Sequence, residues 1–304
     1  MRLVFAGTPA VAVPALKALA ARHEVAAVVT RVDAPLGRKR VLTPSPVAAA
    51  AEELGIEVVK ANRLDEEATA RIAAVGAELG VIVAYGGLVR EPLLSTPTRG
   101  WINLHFSLLP RWRGAAPVQW SIIEGDTVSG ATVFQLVPGL DAGPVFTMRS
   151  TPIAAHETAG GLLARLADSG AAQLADTVDG IADGSLTAAP QTGDVTLAPK
   201  LGLEDARLDF THDLDTVYAR LRGVTPEPGA WFDLDGMRVK VLEASPARDR
   251  PRLDPGAVDG SGRTLHVGTA TAPLELLTVQ PAGKKPMAAA DWWRGAGAEG
   301  LVAR

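Results

Sequence analysis

An amide and an imidazole stand two residues apart in Asn103-Leu104-His105, and a carboxylate follows at Asp141 within Gly139-Leu140-Asp141-Ala142-Gly143-Pro144. Side chains two apart on a strand point the same way, so Asn103 and His105 are expected to share one face. If the strand ends near residue 105 in an open parallel sheet, the pair lies at its carboxyl end, where ligands of such sheets collect. An amide placed there can donate to a developing oxyanion. An imidazole with an ordinary pKa of about 6.5 can take a proton from an attacking group. A carboxylate hydrogen-bonded to that imidazole would hold its tautomer and favour its protonated form. Pro and Gly on both sides of Asp141 make the loop that would carry it across. Each residue also has a plain reading, His105 as a satisfied structural histidine and Asp141 as an Asx-turn side chain. The chain has no cysteine, which removes thiolate nucleophiles, thiolate metal sites and disulfides. No second His or Glu stands at ligand spacing, so a site without metal is expected. Ser107, in Ser107-Leu108-Leu109-Pro110, reads as turn scaffolding rather than as a nucleophile.

Elements able to present such residues alternate through the first half of the chain. Residues 3–6, 25–29, 81–84 and 101–105 are short apolar runs of the kind that fill strands buried on both faces. Ala-rich stretches over 13–21, 47–54 and 66–75 read as crossover helices, the second opened by Pro46. A helix over 117–124, a strand over 131–137 and a helix or helix pair over 160–183 follow, giving an α/β domain with a mostly parallel sheet over 1–184. Its first βα turn, Ala6-Gly7-Thr8-Pro9, has one glycine in place of the G-x-G-x-x-G fingerprint, which argues against a nicotinamide or flavin cofactor. Residues 185–204 are rich in Pro, Gly, Thr and Gln without helical period and read as a linker. Residues 205–304 carry one helix over 214–222, capped by Asp213, and short strands over 230–234, 238–243, 264–267 and 274–279. Asp235-Gly236 supplies a hairpin turn between the first two, and the pattern suits a small β-barrel of the oligonucleotide-binding type.

The 304 residues suffice for two domains, and 47% hydrophobic with 21% charged residues is an ordinary globular composition. No run approaches the roughly 18 uncharged apolar residues of a membrane span. The chain opens directly on Leu3-Val4-Phe5-Ala6 without a signal-peptide layout, so a cytoplasmic protein is expected. A net charge of −4, from 30 basic and 34 acidic residues, does not advertise a nucleic-acid binder. The cations are nevertheless clustered: Arg31, Arg38, Lys39 and Arg40 face Asp33 alone, and Arg99, Arg111 and Arg113 have no acid between them. Such clusters suit phosphate contacts or a solvated loop.

Phe5-Ala6-Gly7-Thr8-Pro9, Pro44-Ser45-Pro46, Ala84-Tyr85-Gly86, the block from Asn103 to Pro117, Gly139-Leu140-Asp141-Ala142-Gly143 and Gln280-Pro281-Ala282-Gly283-Lys284-Lys285 span nearly the whole chain. Together they resemble the methionyl-tRNA formyltransferase family. The resemblance implies a Rossmann-like formyltransferase domain followed by an OB-like barrel. It implies transfer of a formyl group from 10-formyltetrahydrofolate, the formyl donor, to the α-amine of methionine on initiator tRNA. Acyl transfer of this kind passes through a tetrahedral intermediate, with a catalytic set mapping onto Asn103, His105 and Asp141. The folate-contacting turn maps onto Ser107, Leu108, Leu109 and Pro110. A basic loop that meets the tRNA acceptor arm maps onto Gly37-Arg38-Lys39-Arg40, and the barrel contributes Lys284 and Lys285. Arg111 and Arg113, near the site, are expected to join them. Two departures are local: the proline of a Tyr-Gly stretch is displaced to Pro92, and Phe210 stands where a Trp is common. Relatives that hydrolyse formyltetrahydrofolate or formylate a sugar amine or small nucleotide share the Asn, His and Asp but lack this combination of basic loop and Lys-Lys barrel. A binding-only RNA module has no use for the catalytic set. No apolar stripe is left without a partner, so a monomer is expected.

Overall fold

The computed structural model describes residues 1–37, 39–296 and 300–304. They form two compact units, and the chain passes between them more than once. The first unit comprises Met1–Pro117, Val128–Pro152 and Leu163–Ala198, the second Val118–Thr127, Ile153–Leu162 and Pro199–Arg304.

The first unit's strands, in chain order, are β1 (Arg2–Gly7), β2 (Glu24–Thr30), β3 (Ala34–Leu36), β4 (Val41–Thr43), β5 (Glu57–Lys60), β6 (Leu79–Val83), β7 (Trp101–His105), β8 (Arg113–Gly114), β9 (Val128–Gln135), β10 (Val145–Pro152) and β11 (Leu197–Ala198). Seven of them make one sheet in the order β10-β9-β7-β6-β1-β2-β5. β1, β2, β5, β6 and β7 run parallel, while β9 is antiparallel to β7 and β10 to β9. The chain grows to one side of β1 and then returns to the other, so the carboxyl ends of β1 and β6 border a topological switch point, with β7 next in line. This is the mostly parallel α/β sheet expected from the apolar runs. It also contains strands the runs do not announce, namely β5 and the edge strand β10.

The connecting helices of this unit are α1 (Val13–Ala20), α2 (Pro46–Glu53) and α3 (Glu66–Ala74); of the next two, α4 (Pro117–Ile123) lies in the second unit from Val118 onward, and α5 (Ala159–Asp183) lies in the first from Leu163 onward. Side-chain caps set the starts of α2 and α3: Ser45 Oγ accepts from Ala48 N at 3.0 Å, with Pro46 in the first turn, and Asp65 Oδ1 accepts from Ala68 N at 3.0 Å. The 160–183 stretch is one helix rather than two. Its buried Gln173 fastens α5 to the sheet, donating to Ala131 O at 3.2 Å and Thr147 Oγ1 at 3.0 Å. Leu3, Phe5, Leu16, Leu19, Val28, Leu79 and Val81 fill the core beneath, all essentially inaccessible.

In the second unit, α6 (Leu214–Gly223) opens on Asp213, whose Oδ1 accepts from Thr216 N at 2.9 Å. The strands β12 (Trp231–Leu234), β13 (Met237–Pro246), β14 (Val258–Asp259), β15 (Leu265–Val267), β16 (Leu274–Pro281) and β17 (Met287–Ala288) then precede α7 (Ala289–Ala296). They form an antiparallel sheet in the order β12-β13-β16-β15-β14, with β17 on β16. Asp235 and Gly236 both adopt positive φ, as the tight hairpin between β12 and β13 requires. The sheet curls toward closure because residues 302–303 bridge both of its margins, Val302 pairing Ala257 and Ala303 pairing Leu234. An OB-like barrel is the architecture expected for this part of the chain.

Candidate active site

β7 ends where the site begins. All of its residues are buried except the half-buried Asn103, and His105 is 6% exposed. The two side chains share the face expected from their spacing. No described residue hydrogen-bonds the Asn103 carboxamide, so its N–H groups are open to a ligand at the strand end.

After β7 the chain turns through residues 107–110 and doubles back. Ser107 Oγ donates to Arg111 O at 2.6 Å, and Thr132 of β9 pins the turn by donating to Ser107 O at 2.6 Å and accepting from Leu109 N at 3.3 Å. Ser107 is thus scaffolding, its hydroxyl committed inside the turn. Trp112 follows with φ 62°, an unusual value for a bulky side chain, and this conformation brings its carbonyl to 2.9 Å from His105 Nε2. A carbonyl only accepts, so Nε2 carries the hydrogen and Nδ1 is the basic nitrogen.

Nδ1 faces Asp141, whose Oδ2 is 3.8 Å away. That separation is too long for a hydrogen bond but short enough for strong Coulomb attraction. Oδ2 instead accepts from Gly114 N at 2.8 Å. The expected carboxylate-to-imidazole hydrogen bond is therefore replaced by a backbone bond on the opposite ring nitrogen, and the tautomer is set by Trp112. The expected bias toward imidazolium is reversed as well. Burial lowers the His105 pKa below its usual value, outweighing the Asp141 charge and the Trp112 bond, which both favour the proton. His105 is consequently a neutral base at pH 7.

Two glycines let these loops approach. Gly114 has φ +126°, and a Cβ there would stand 2.7 Å from Ala198 O. A Cβ on Gly143 would collide with the Gln135 carbonyl. Between Gly139 and Gly143, Asp141 itself sits at φ 44°, a strained conformation of the kind that clusters at functional sites.

Among the described residues, no group of three or more His, Cys, Asp or Glu side chains stands where it could hold a metal ion, and no helix is long and apolar enough to cross a membrane.

A family model described as Formyl transferase matches residues 1–178, and one described as Formyl transferase, C-terminal domain, matches residues 200–297. Methionyl-tRNA formyltransferase from Clavibacter michiganensis subsp. michiganensis is 64% identical over all of both chains. That from Leifsonia xyli subsp. xyli is 65% identical over 99% of this chain and 100% of its own. The chain belongs to the methionyl-tRNA formyltransferase family. An N-formyltransferase from Helicobacter canadensis, solved with folinic acid and dTDP-3-aminofucose, superposes with a TM-score of 0.69 over 90% of this chain and 97% of its own. At 15% identity that likeness is one of fold.

The residues that the methionyl-tRNA formyltransferase resemblance implies fall into separate groups in the structure. Asn103, His105, Asp141 and the turn of Ser107, Leu108, Leu109 and Pro110 come together in the first unit. Arg111 is exposed, with its guanidinium 4.9 Å from the Trp112 ring centroid. Arg113 is half-buried and donates from Nε and Nη2 to Gln191 Oε1 at 3.2 and 2.6 Å. Lys39 and Arg40 are exposed in the turn between β3 and β4, where Leu36, Val41 and Leu42 are exposed too. Arg38, the loop's principal arginine by resemblance, lies outside the described residues. Lys284 and Lys285 are exposed in the turn between β16 and β17 of the second unit. Sequence reasoning missed Thr132, the Trp112 carbonyl and Gln191. None of the three carries a local signal: Thr132 meets the site only through the pairing of β9 with β7, which sets it opposite His105.

Proposed function

We infer that this chain transfers the formyl group of 10-formyltetrahydrofolate to the α-amino group of methionyl initiator tRNA, with Asn103, His105 and Asp141 as its catalytic residues. The observation that carries the assignment of roles is one strand end at which an uncommitted amide and a neutral, buried imidazole share a face, with a carboxylate 3.8 Å behind the basic nitrogen. When bound, the folate supplies the formyl carbon. Asn103 donates to the formyl oxygen as negative charge builds on it. His105 Nδ1 takes the proton that the amine sheds and returns it to the folate nitrogen as that nitrogen's bond to the formyl carbon breaks, so that tetrahydrofolate leaves and the base is restored. Asp141 then stabilises the imidazolium through Coulomb attraction, at no cost in reorganisation because its loop is already fixed. Leu108, Leu109 and Pro110 give the folate a half-apolar turn held in place by Thr132.

The same reading assigns tRNA binding to Arg38, Lys39, Arg40, Arg111, Arg113, Lys284 and Lys285. Arg113 retains N–H donors beyond the two given to Gln191. Local positive potential suffices for phosphate contacts on a chain of net charge −4. Residues 1–184 are assigned folate binding and catalysis, 185–204 the connection, and 205–304 tRNA recognition by the barrel. The protein acts as a cytoplasmic monomer. Labelled formyl transfer to methionyl initiator tRNA tests the reading, comparing the wild type with Asn103→Ala and His105→Ala. Loss of about 100-fold or more in both supports it. Formate release from the folate alone, without tRNA-dependent turnover, replaces transfer with hydrolysis.

A further inference from the structure

Within the stretch expected to be a linker, Ala189, Gln191, Thr196 and Ala198 are bonded to the two loops that build the site. Ala189 and Val145 exchange backbone hydrogen bonds at 2.9 and 2.7 Å. Thr196 accepts through Oγ1 from Trp112 N at 2.9 Å and through its carbonyl from Arg113 N at 2.9 Å. Ala198 O accepts from Ala115 N and Ala116 N at 2.8 and 3.1 Å. Midway along this strap is Gln191, whose side chain bonds to both loops. Its Nε2 donates to Asp141 O at 2.7 Å and Gly143 O at 2.8 Å, and its Oε1 accepts from Arg113 at 2.6 and 3.2 Å.

We propose that Gln191 is a positioning residue for formyl transfer, locking the Asp141 loop onto the segment that carries the Trp112 carbonyl. The inference rests on the proposed roles of His105 and Asp141. A carboxamide suits this place because it accepts from a guanidinium on one side and donates to two carbonyls on the other. Only one orientation of the amide satisfies all four bonds. Glutamate keeps the acceptor but has no N–H for Asp141 O and Gly143 O. Alanine loses both ends. Asp141 lies at φ 44°, a conformation that persists only where its surroundings over-determine it, and two of the bonds that do so come from Gln191. Release of those carbonyls to water lets the carboxylate drift from Nδ1. A displacement of about 1 Å at a catalytic group costs up to roughly 100-fold in rate.

Gln191→Ala tests this in the full-length protein, with Gln191→Glu as a second variant that preserves size and the acceptor for Arg113. Both are expected to lower kcat for formyl transfer by about 10- to 100-fold, with the KM for charged tRNA within about threefold of the wild type. The acid limb of the kcat–pH profile should move to lower pH, because less of the Asp141 charge is felt at His105. The double variant Gln191→Ala/Asp141→Asn should lose no more than Asp141→Asn alone, since both changes act through one group. A merely structural role predicts a lower Tm with the wild-type kcat and pH profile in the folded fraction, and that result overturns the proposal. Full turnover by His105→Ala is a different failure. It overturns the reading of the site and this inference with it, whereas an inactive His105→Ala beside a fully active Gln191→Glu removes Gln191 alone.

Discussion

The strand end around His105 and the basic turns at Lys39-Arg40 and Lys284-Lys285 spend their hydrogen bonds differently. Around His105, side chains and backbone from β7, the 107–116 loop, the Asp141 loop and the strap bond to one another, and the base is buried. In the turns, the cations project from short hairpin connections, where the bonds run within the turn itself, such as Arg40 N to Gly37 O at 3.1 Å and Gln280 Nε2 to Lys284 O at 3.1 Å. Proton transfer and oxyanion stabilisation need groups fixed to within a fraction of an ångström, whereas phosphate attraction falls off gently with distance. Substitutions in the first region should therefore act on kcat, and in the second on KM and its salt dependence.

The sharpest break comes at the strand end. Asn103→Ala and His105→Ala should each lower kcat by about 100-fold or more in single-turnover transfer, with Tm nearly unchanged for Asn103→Ala and lowered for His105→Ala, which leaves the Trp112 carbonyl without its buried partner. Gly143→Ala should come next, because its Cβ meets the Gln135 carbonyl. A loss of about 1–3 kcal/mol in denaturant unfolding, accompanied by reduced kcat, is expected. Equal kcat would show that the Asp141 loop tolerates displacement.

Titration gives a smaller effect with a definite sign. Burial lowers the His105 pKa, so the wild-type acid limb of kcat/KM should fall below pH 6.5, and Asp141→Asn should move it lower still by removing a charge that favours the proton. The same shift bears on stability. Between the depressed folded value and about 6.5 the unfolded chain binds the proton that the folded chain refuses. His105 therefore lets the protein keep its full stability above about pH 6.5 and lose some as pH falls through that range. Thermal melts from pH 8 to 5.5 should show a flatter decline in His105→Gln than in the wild type. The smallest effect on kcat belongs to the turns. Lys284→Ala/Lys285→Ala and Lys39→Ala/Arg40→Ala should leave kcat and Tm in place and raise the KM for charged tRNA. The salt slope should fall by about one for each phosphate that is no longer neutralised. A change in kcat instead would place those cations nearer the chemistry than the contrast allows.

The strand that ends at Asn103 and His105 was legible because β7 satisfies its own pattern: an apolar run, two polar residues two apart, then a turn. The Asp213 cap, Pro46 and the Asp235-Gly236 hairpin were legible for the same reason, each being a local preference that the fold obeys. What stayed hidden depends on distant partners. β8 and β11 are two residues each, too short to show a period, and exist because the segments containing Trp112 and Thr196 pair across a sequence separation of 84. Gln191 lies in a run of Pro, Thr and Gly that reads as flexible by composition, and only its four bonds reveal a fixed position. The edge strand β10 is largely exposed and mixes Arg149, Ser150 and Thr151 with apolar residues, so alternation is lost. The lowered pKa of His105 was equally unreadable, because burial and charge oppose each other there and sequence shows only the charge.

The threading of the chain through its two units sets an order of events during synthesis. Residues 118–127 and 153–162 belong to the second unit, yet their partners are made much later: Trp120 Nε1 donates to Pro199 O at 2.8 Å, and His156 Nδ1 lies 3.0 Å from the Tyr218 hydroxyl, across separations of 79 and 62 residues. At about 5–20 residues per second, these segments wait roughly 3–16 s on the ribosome before those partners exist. Val118, Ile122 and Ile123, buried in the finished protein, spend that interval as candidates for chaperone capture.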